Sequence, residues 1–348
     1  MKHLYKALLV TVCFFTFTLS NAQDFGNILA VGAENAETYL TNYAGPAINA
    51  FGNGLSNGWY NTAKPHKSLG FNITVSPGFS FIPQSDQTFV FDPNDYQDLT
   101  LEGDADGIIP TLVGGDAQSG SELVFTGEAT YPGGVTFDGE QRFNVPNGVI
   151  DLGNIPFGGT PAPTYNIGIG IIKGTELKVR ILPEVTAGDF GASMIGFGVQ
   201  HDVKQWIPVI SKLPFDLSAL VAFSNLKLNY AIDVNTGDFE GTGEAIFETN
   251  ATTVQGIISK KLLFFTPYLG VGFNTVKSSL QVNGTYRYNS TLGSGSEIED
   301  PIDLTFDGAG GMRTTVGGRI NLAILTFHAA YTLQKYNTFN VGVGISVR

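Results

Sequence analysis

Outside the first 22 residues, a few charged and imidazole side chains mark where this sequence could hold chemistry. Glu176, Lys178 and Arg180 alternate with Leu177, Val179 and Ile181, so one face of an extended segment carries an acid and two bases. Such a face could touch a plug or a solute, or form an internal ion-pair network. Gln200 closes a similar segment, Ile195 to Val199, on its polar face. His328 stands between Phe327 and Ala329, where an imidazole could activate a serine as in an outer-membrane lipase. No serine neighbours it in sequence, so a polar lumen-lining role fits it better. Residues 68–141 contain twelve acids and neither Lys nor Arg. Their densest part supplies Asp92, Asp95, Asp104 and Asp106 as candidate metal ligands. The spacing misses the alternating ligands and fixed glycine of a calcium loop, so a solvated acidic loop is the competing reading.

Catalytic signatures are missing. The sequence has no HExxH and no Walker loop. Gly168, Gly170 and Gly174 have the wrong spacing for a dinucleotide turn and lie in a segment of period two. No catalytic residue, no enzyme activity and no cofactor are expected.

The elements that must position these residues are strands. Leu69–Ser76, Tyr165–Ile172, Glu176–Ile181, Ile195–Gln200, Leu269–Asn274, Phe327–Gln334 and Phe339–Arg348 alternate large apolar residues with small or polar ones. Successive strand side chains point to opposite faces, so each segment has one apolar face and one face of Gly, Asn, Gln or charge. A soluble sandwich would turn the apolar face inward; a membrane barrel turns it to lipid and lines its lumen with the other. Repeated glycine on the second face suits curvature or close packing against something inside. Further strands near 121–131, 134–144, 215–224, 226–233, 238–249, 251–260, 276–289 and 312–322 bring the expectation to about 12–14. The break of alternation between Phe223 and Leu226 suggests a bulge or a tight turn.

The start of the chain has the order of an export signal. Lys2 and Lys6 precede an apolar run from Ala7 to Leu19, and Ser20-Asn21-Ala22 offers a cleavage site. Cys13, the single cysteine, lies inside this run after Val12, which does not suit lipid anchoring. Removal of residues 1–22 takes two lysines and moves the formal charge from −12 to −14, a balance that excludes phosphate-backbone partners. No later stretch reaches the roughly 20 apolar residues of a membrane helix, so membrane entry requires a closed barrel.

Residues 25–51 follow another period. Leu29, Ala33, Ala36, Leu40 and Tyr43 recur at three and four, which predicts an amphipathic helix ended by Gly45-Pro46. It could plug a lumen or lie in the periplasm. Trp59 and Tyr60 are expected in an interfacial aromatic belt.

Phe51 to Phe71, with Gly-Trp-Tyr-Asn-Thr-Ala-Lys-Pro-His-Lys-Ser-Leu-Gly-Phe, resembles the start of an uncharacterised family of Bacteroidota outer-membrane β-barrel proteins. Pro110-Thr111-Leu112 and Gly114 add to the likeness. In layout the chain is similar to outer-membrane long-chain fatty acid transporters, which implies a lumenal plug and uptake of hydrophobic small molecules. The Asn-Pro-Ala signature of that plug is absent, and Arg348 replaces the usual terminal aromatic.

The expectation is thus an all-β protein: an antiparallel transmembrane β-barrel with an N-terminal helical plug. Residues 1–22 form the signal, 23–58 the plug segment and 59–348 the barrel, with acidic loops near 82–121 and 289–311. It would sit in the outer membrane and passively take up or bind a small, hydrophobic solute; a surface adhesin or envelope scaffold is the alternative. Glu176, Lys178, Arg180, Gln200 and His328 would face the lumen. Outer-membrane lipid, a hydrophobic small molecule and the barrel assembly machinery are the expected partners.

Overall fold

A computed structural model describes residues 31–347 apart from 32, 105, 131–135, 163, 236–238, 289–295 and 309. The export signal and the start of the predicted helix, Leu29 included, lie outside the described residues. One helix, α1 (Ala33–Leu55), leads into a closed antiparallel barrel.

Ten strands form the wall. They are β1 (Phe71–Val75), β2 (Tyr165–Gly170), β3 (Thr175–Ala187), β4 (Phe190–Asp202), β5 (Asp216–Asn235), β6 (Phe239–Ser259), β7 (Phe265–Tyr288), β8 (Gly311–Leu322), β9 (Leu325–Leu333) and β10 (Thr338–Val347). Each pairs with its successor, and β10 returns to β1 with Val343 opposite Val75. Gly78–Ser80 and Thr160–Ala162 continue β1 and β2 in the same register across short breaks, the first at Pro77, which has no N–H to give the ladder.

The count is lower than the 12–14 expected, for two reasons. Segments expected as separate strands are single long ones in β5, β6 and β7, of 20, 21 and 24 residues. The segments near 121–131 and 134–144 pair with each other and with Leu99–Glu102 in a small sheet off the barrel.

The broken alternation at Phe223–Leu226 is neither bulge nor turn. Register with β4 and β6 runs through it unshifted. What changes is polarity. Below this level Val221 and Phe223 are exposed and Ser224 is buried; above it Leu226 is buried at 3% while Lys227 faces out. Asn225, Asn250 and Lys277 lie directly opposite one another across β5, β6 and β7. They mark one edge of an outer apolar belt. On β7 that belt runs from Phe265 to Phe273, nine residues, the span a tilted strand needs to cross a bilayer's hydrocarbon.

The two longest connections lie at one end of the barrel, beside the short links 188–189 and 334–337. Residues 81–159 and the segment after β7 lie at the loop end; 171–174, 203–215, 260–264 and 323–324 form the turn end. Residues 81–159 fold into a cap whose Phe91, Leu99, Ile109, Leu123, Phe125 and Phe143 pack against Tyr39, Leu40 and Tyr43 of α1.

Helix α1 runs through Pro46 instead of ending there. An interior proline costs a backbone bond and roughly 3 kcal/mol, but Ala44, Ala47, Ala50, Phe51 and Leu55 are all buried around and beyond it. Packing on both sides of the proline holds the helix together where propensity would stop it. The chain then descends through the interior toward the turn end and enters β1.

Candidate functional site

The last carbonyls of a helix lack intrahelical donors and carry the negative end of its dipole. Here the barrel wall supplies the donors. Arg180 of β3 donates from Nη1 to the Leu55 carbonyl at 2.6 Å, from Nη2 to the Asn57 carbonyl at 2.5 Å and from Nε to Asn166 Oδ1 at 2.6 Å. Arg313 of β8 donates from Nη1 to the Ser56 carbonyl at 3.0 Å and from Nη2 to Asn57 Oδ1. Two wall arginines on different strands thus clamp the end of α1. Both are essentially excluded from solvent, at 0% and 2% exposure.

Below the clamp, Trp59 lies flat against the Arg180 guanidinium, 3.8 Å from ring centroid to Cζ. Its ring rests on Gly196 and Gly198 of β4, where an added Cβ would meet it at 3.1–3.2 Å. The glycines of the lumen face are therefore the floor on which the plug sits. Trp59 and Tyr60 are 3% and 9% exposed, so they are interior residues and not the interfacial belt expected. Tyr60 packs edge-on to Tyr268 of β7 at 5.7 Å between centroids.

Nearer the turn end the plug is held by a carboxylate. Glu176 Oε2 accepts from the His66 backbone N–H at 2.9 Å and bonds His66 Nδ1 at 2.8 Å; Oε1 accepts from Lys178 Nζ at 2.6 Å and Asn72 Nδ2 at 2.9 Å. Every oxygen is matched, as a buried carboxylate requires. Gln200 donates to the Thr62 carbonyl and to Ser218 Oγ, both at 2.9 Å. Glu176, Lys178, Arg180 and Gln200 all line the interior and touch the plug or one another.

His328 also faces inward, and the fold brings it a serine that sequence adjacency could not. Ser76 Oγ and His328 Nε2 are 2.9 Å apart. His328 Nδ1 has no partner, where a hydrolase histidine would have an orienting acid, and Ser76 is completely buried. Arg313 Nε, Asn274 Oδ1 and Asn340 Nδ2 are likewise unpartnered. Arg313, His328 and Asn340 line, with Ser56 to Tyr60 of the plug, a void of about 10 Å³. A larger cavity, about 290 Å³, opens at the turn-end mouth and is lined by Lys64, Asp216, Lys261 and Arg319.

The acidic candidates do not converge. Asp92 Oδ1 caps a short turn by accepting from the Asn94 backbone N–H at 2.9 Å, and Asp104 Oδ1 accepts from the Asp106 and Gly107 N–H groups at 3.0 Å. Among the described residues no three His, Cys, Asp or Glu side chains come together as a metal site would need. Their oxygens shape local turns. The cap's cluster is instead Arg142, which bonds Glu102 at 2.7 Å and Glu140 at 2.5 Å, with Glu122 at 3.4 Å.

The profile of a family of unknown function, DUF6588, matches residues 1–347. The chain belongs to that family. No curated protein matches the sequence. Among solved structures, the translocator domain of the autotransporter NalP from Neisseria meningitidis aligns over 81% of this chain and 90% of its own, at 10% identity and TM-score 0.29. The attachment invasion locus protein Ail of Yersinia pestis aligns over 80% and 98%, at 9% identity and TM-score 0.24. The Pseudomonas putida toluene transporter TodX aligns over 80% and 90%, at 10% identity and TM-score 0.21. Values this low carry no function across, and the barrel rests on its own strand pairing.

Arg313, His66 and Ser76 escaped the sequence reading. Arg313 sits in Gly-Met-Arg-Thr-Thr, where alternation is weak, and His66 precedes the first strand. The usable signal was the polar parity of β8: Arg313, Thr315 and Arg319 share one face.

Proposed function

We propose that this protein is an outer-membrane barrel held shut by its own N-terminal segment, and that it passes or binds a small solute when that segment shifts. The membrane part is supported by the belt. Ile73, Ile169, Ile181, Phe197, Val221, Val254, Val271, Val316, Phe327 and Val343 are exposed, one on each of the ten strands. Leaving such side chains in water forgoes about 1.5–3 kcal/mol each, so lipid is their natural cover. Barrels of this class put short turns toward the periplasm and long loops outside, which sets the cap outside and the C-terminal end of β10 inside. Insertion would then fall to the barrel assembly machinery.

The gating part is carried by one observation: besides the apolar seats of Phe51, Leu55, Trp59 and Tyr60, the plug is held to the wall by hydrogen bonds from Arg180, Arg313, Glu176 and Gln200. Water can replace such bonds, so the polar holds can open before the apolar seats do. The void beside Arg313, His328 and Asn340, where polar atoms lack partners, is the natural path. The polar interior favours a small polar or anionic solute over the hydrophobic one that the layout of fatty acid transporters suggests, since the buried apolar clusters among the described residues are filled.

Single-channel recording in planar bilayers tests this. Wild type should be nearly silent, and Arg180→Ala/Arg313→Ala should conduct steadily. A double variant that keeps its heat-modifiable gel mobility yet stays silent would overturn gating.

The cap favours a second reading, a surface adhesin or scaffold, because it packs firmly on α1 and is rich in acids. Loss of cell-surface binding on neutralising cap acids, with conductance unchanged, would support it.

A further inference from the structure

The four connections at the turn end, 171–174, 203–215, 260–264 and 323–324, contain five lysines and neither Asp nor Glu. This occurs in a chain of net charge −12. Residues 81–159 at the other end hold thirteen acids against the single base Arg142. The two ends of the barrel are therefore oppositely charged.

The same turns expose large apolar side chains. Ile172 is 68% exposed, Trp206 63%, Val209 79%, Leu263 87% and Ile324 54%. They do not belong to loose loops. In the longest turn Trp206 Nε1 donates to His201 Nε2 at 2.8 Å, Gln205 Nε2 to the Lys173 carbonyl at 2.8 Å, and Lys204 Nζ to the Leu213 carbonyl at 2.6 Å. A folded turn that holds its Trp and Val outward beside Lys204 and Lys212 has the composition of an interfacial segment, with apolar groups for the acyl boundary and ammonium groups for headgroups.

We infer that the turn end selects anionic phospholipid headgroups in the leaflet that surrounds it. This rests on the outer-membrane reading above. The arrangement of the turns argues for lipid over an acidic protein. They connect β2–β3, β4–β5, β6–β7 and β8–β9; the first three carry lysine and the last, Ala323-Ile324, is apolar alone, so apolar tips recur around most of the perimeter and basic ones from β2 to β7. One docked protein would cover a single patch; a leaflet encircles the barrel. Anionic headgroups attract lysines near the surface, and each lysine adds to the preference.

Trp206 reports the contact directly, because the only other tryptophan, Trp59, is buried inside the barrel. The protein is reconstituted in phosphatidylcholine vesicles containing a minor fraction of phosphatidylglycerol, with brominated acyl chains on one lipid or the other at equal mole fraction. Quenching should be about twofold stronger when the bromine is on phosphatidylglycerol. Lys212→Gln/Lys260→Gln/Lys261→Gln, which leaves the Lys204 bond intact, should make the two equal. Trp206→Phe gives the Trp59 baseline. Equal quenching by both lipids in wild type that floats with the vesicles overturns headgroup selection alone. Failure to float, with one gel mobility boiled and unboiled, overturns the barrel reading and this inference with it.

Discussion

The guanidinium of Arg180, on the barrel wall, donates at 2.6 Å to the carbonyl of Leu55, the last residue of the plug helix. A cation at a helix C-terminus meets both the unsatisfied carbonyls and the dipole. That bond is one of several joining the helix end to the wall, and the Trp59 ring stacks against the Arg180 guanidinium.

Replacing Arg180 by Ala strands the Leu55 and Asn57 carbonyls and leaves a void under Trp59. Unsatisfied buried acceptors cost about 1–3 kcal/mol each, so Arg180→Ala should lower unfolding stability by roughly 2–4 kcal/mol. Arg180→Lys should not restore it, because an ammonium cannot span three acceptors on a planar fork. Denaturant unfolding in detergent, followed by loss of the fast-migrating gel form, measures both. Equal stability of Ala and Lys variants with wild type would remove the clamp.

Gly198 tests whether the plug sits against the wall. A Cβ there would meet Trp59 at about 3.1 Å and Ala222 at 3.2 Å; valine adds two further methyls. Overpacking costs about 1–3 kcal/mol. Gly198→Val should therefore displace the plug and raise conductance, and Trp59→Ala in the same chain should bring conductance and stability back toward those of Trp59→Ala alone. Additive effects would mean the two residues do not touch.

How far the sequence disclosed this architecture depended on periodicity. Ile73, Ile169, Phe197 and Val343 announce a lipid face by strict alternation, and the inward positions of Glu176, Lys178 and Arg180 follow from it. The strand number was hidden because β5, β6 and β7 keep their register while exchanging polarity at Asn225, Asn250 and Lys277. A change of surroundings along one strand looks like an end of that strand. Pro46 misled for a similar reason: local propensity marks a stop that packing overrides. Contacts such as Arg313 with Asn57 or Ser76 with His328 join residues more than 250 positions apart, and no local pattern encodes them.

Tyr336, in the loop between β9 and β10, donates to Asp86 Oδ2 at 2.9 Å and so ties the cap to the barrel rim. Burial first, and then the bond and negative charge of Asp86, push the phenol well above its usual value. The folded form thus holds its proton where the unfolded chain, at a pKa of about 10, begins to lose it. The stability from this tie is complete below that pH and falls as pH rises above it. Limited proteolysis of the cap should accelerate above about pH 10. Tyr336→Phe should be more susceptible at neutral pH and should lack the part of the alkaline rise that the tie supplies. Identical pH profiles for both proteins would sink the tie.

The outer belt makes a depth-dependent prediction. On β7 the outward residues Leu269 and Thr275 lie at the middle of the belt and just beyond its edge. A lysine facing lipid costs about 2–4 kcal/mol at mid-bilayer and about 0–1 near the interface. Leu269→Lys should therefore reduce folding into vesicles by that larger amount, while Thr275→Lys, beside the natural Lys277, should fold almost as wild type. Equilibrium refolding from urea into vesicles, read by gel mobility, gives both values. A soluble barrel would show the opposite trend, since a lysine at an exposed apolar site in water is neutral or favourable. Equal tolerance at the two positions would mean that the belt does not meet lipid, and the outer-membrane reading would fall with it.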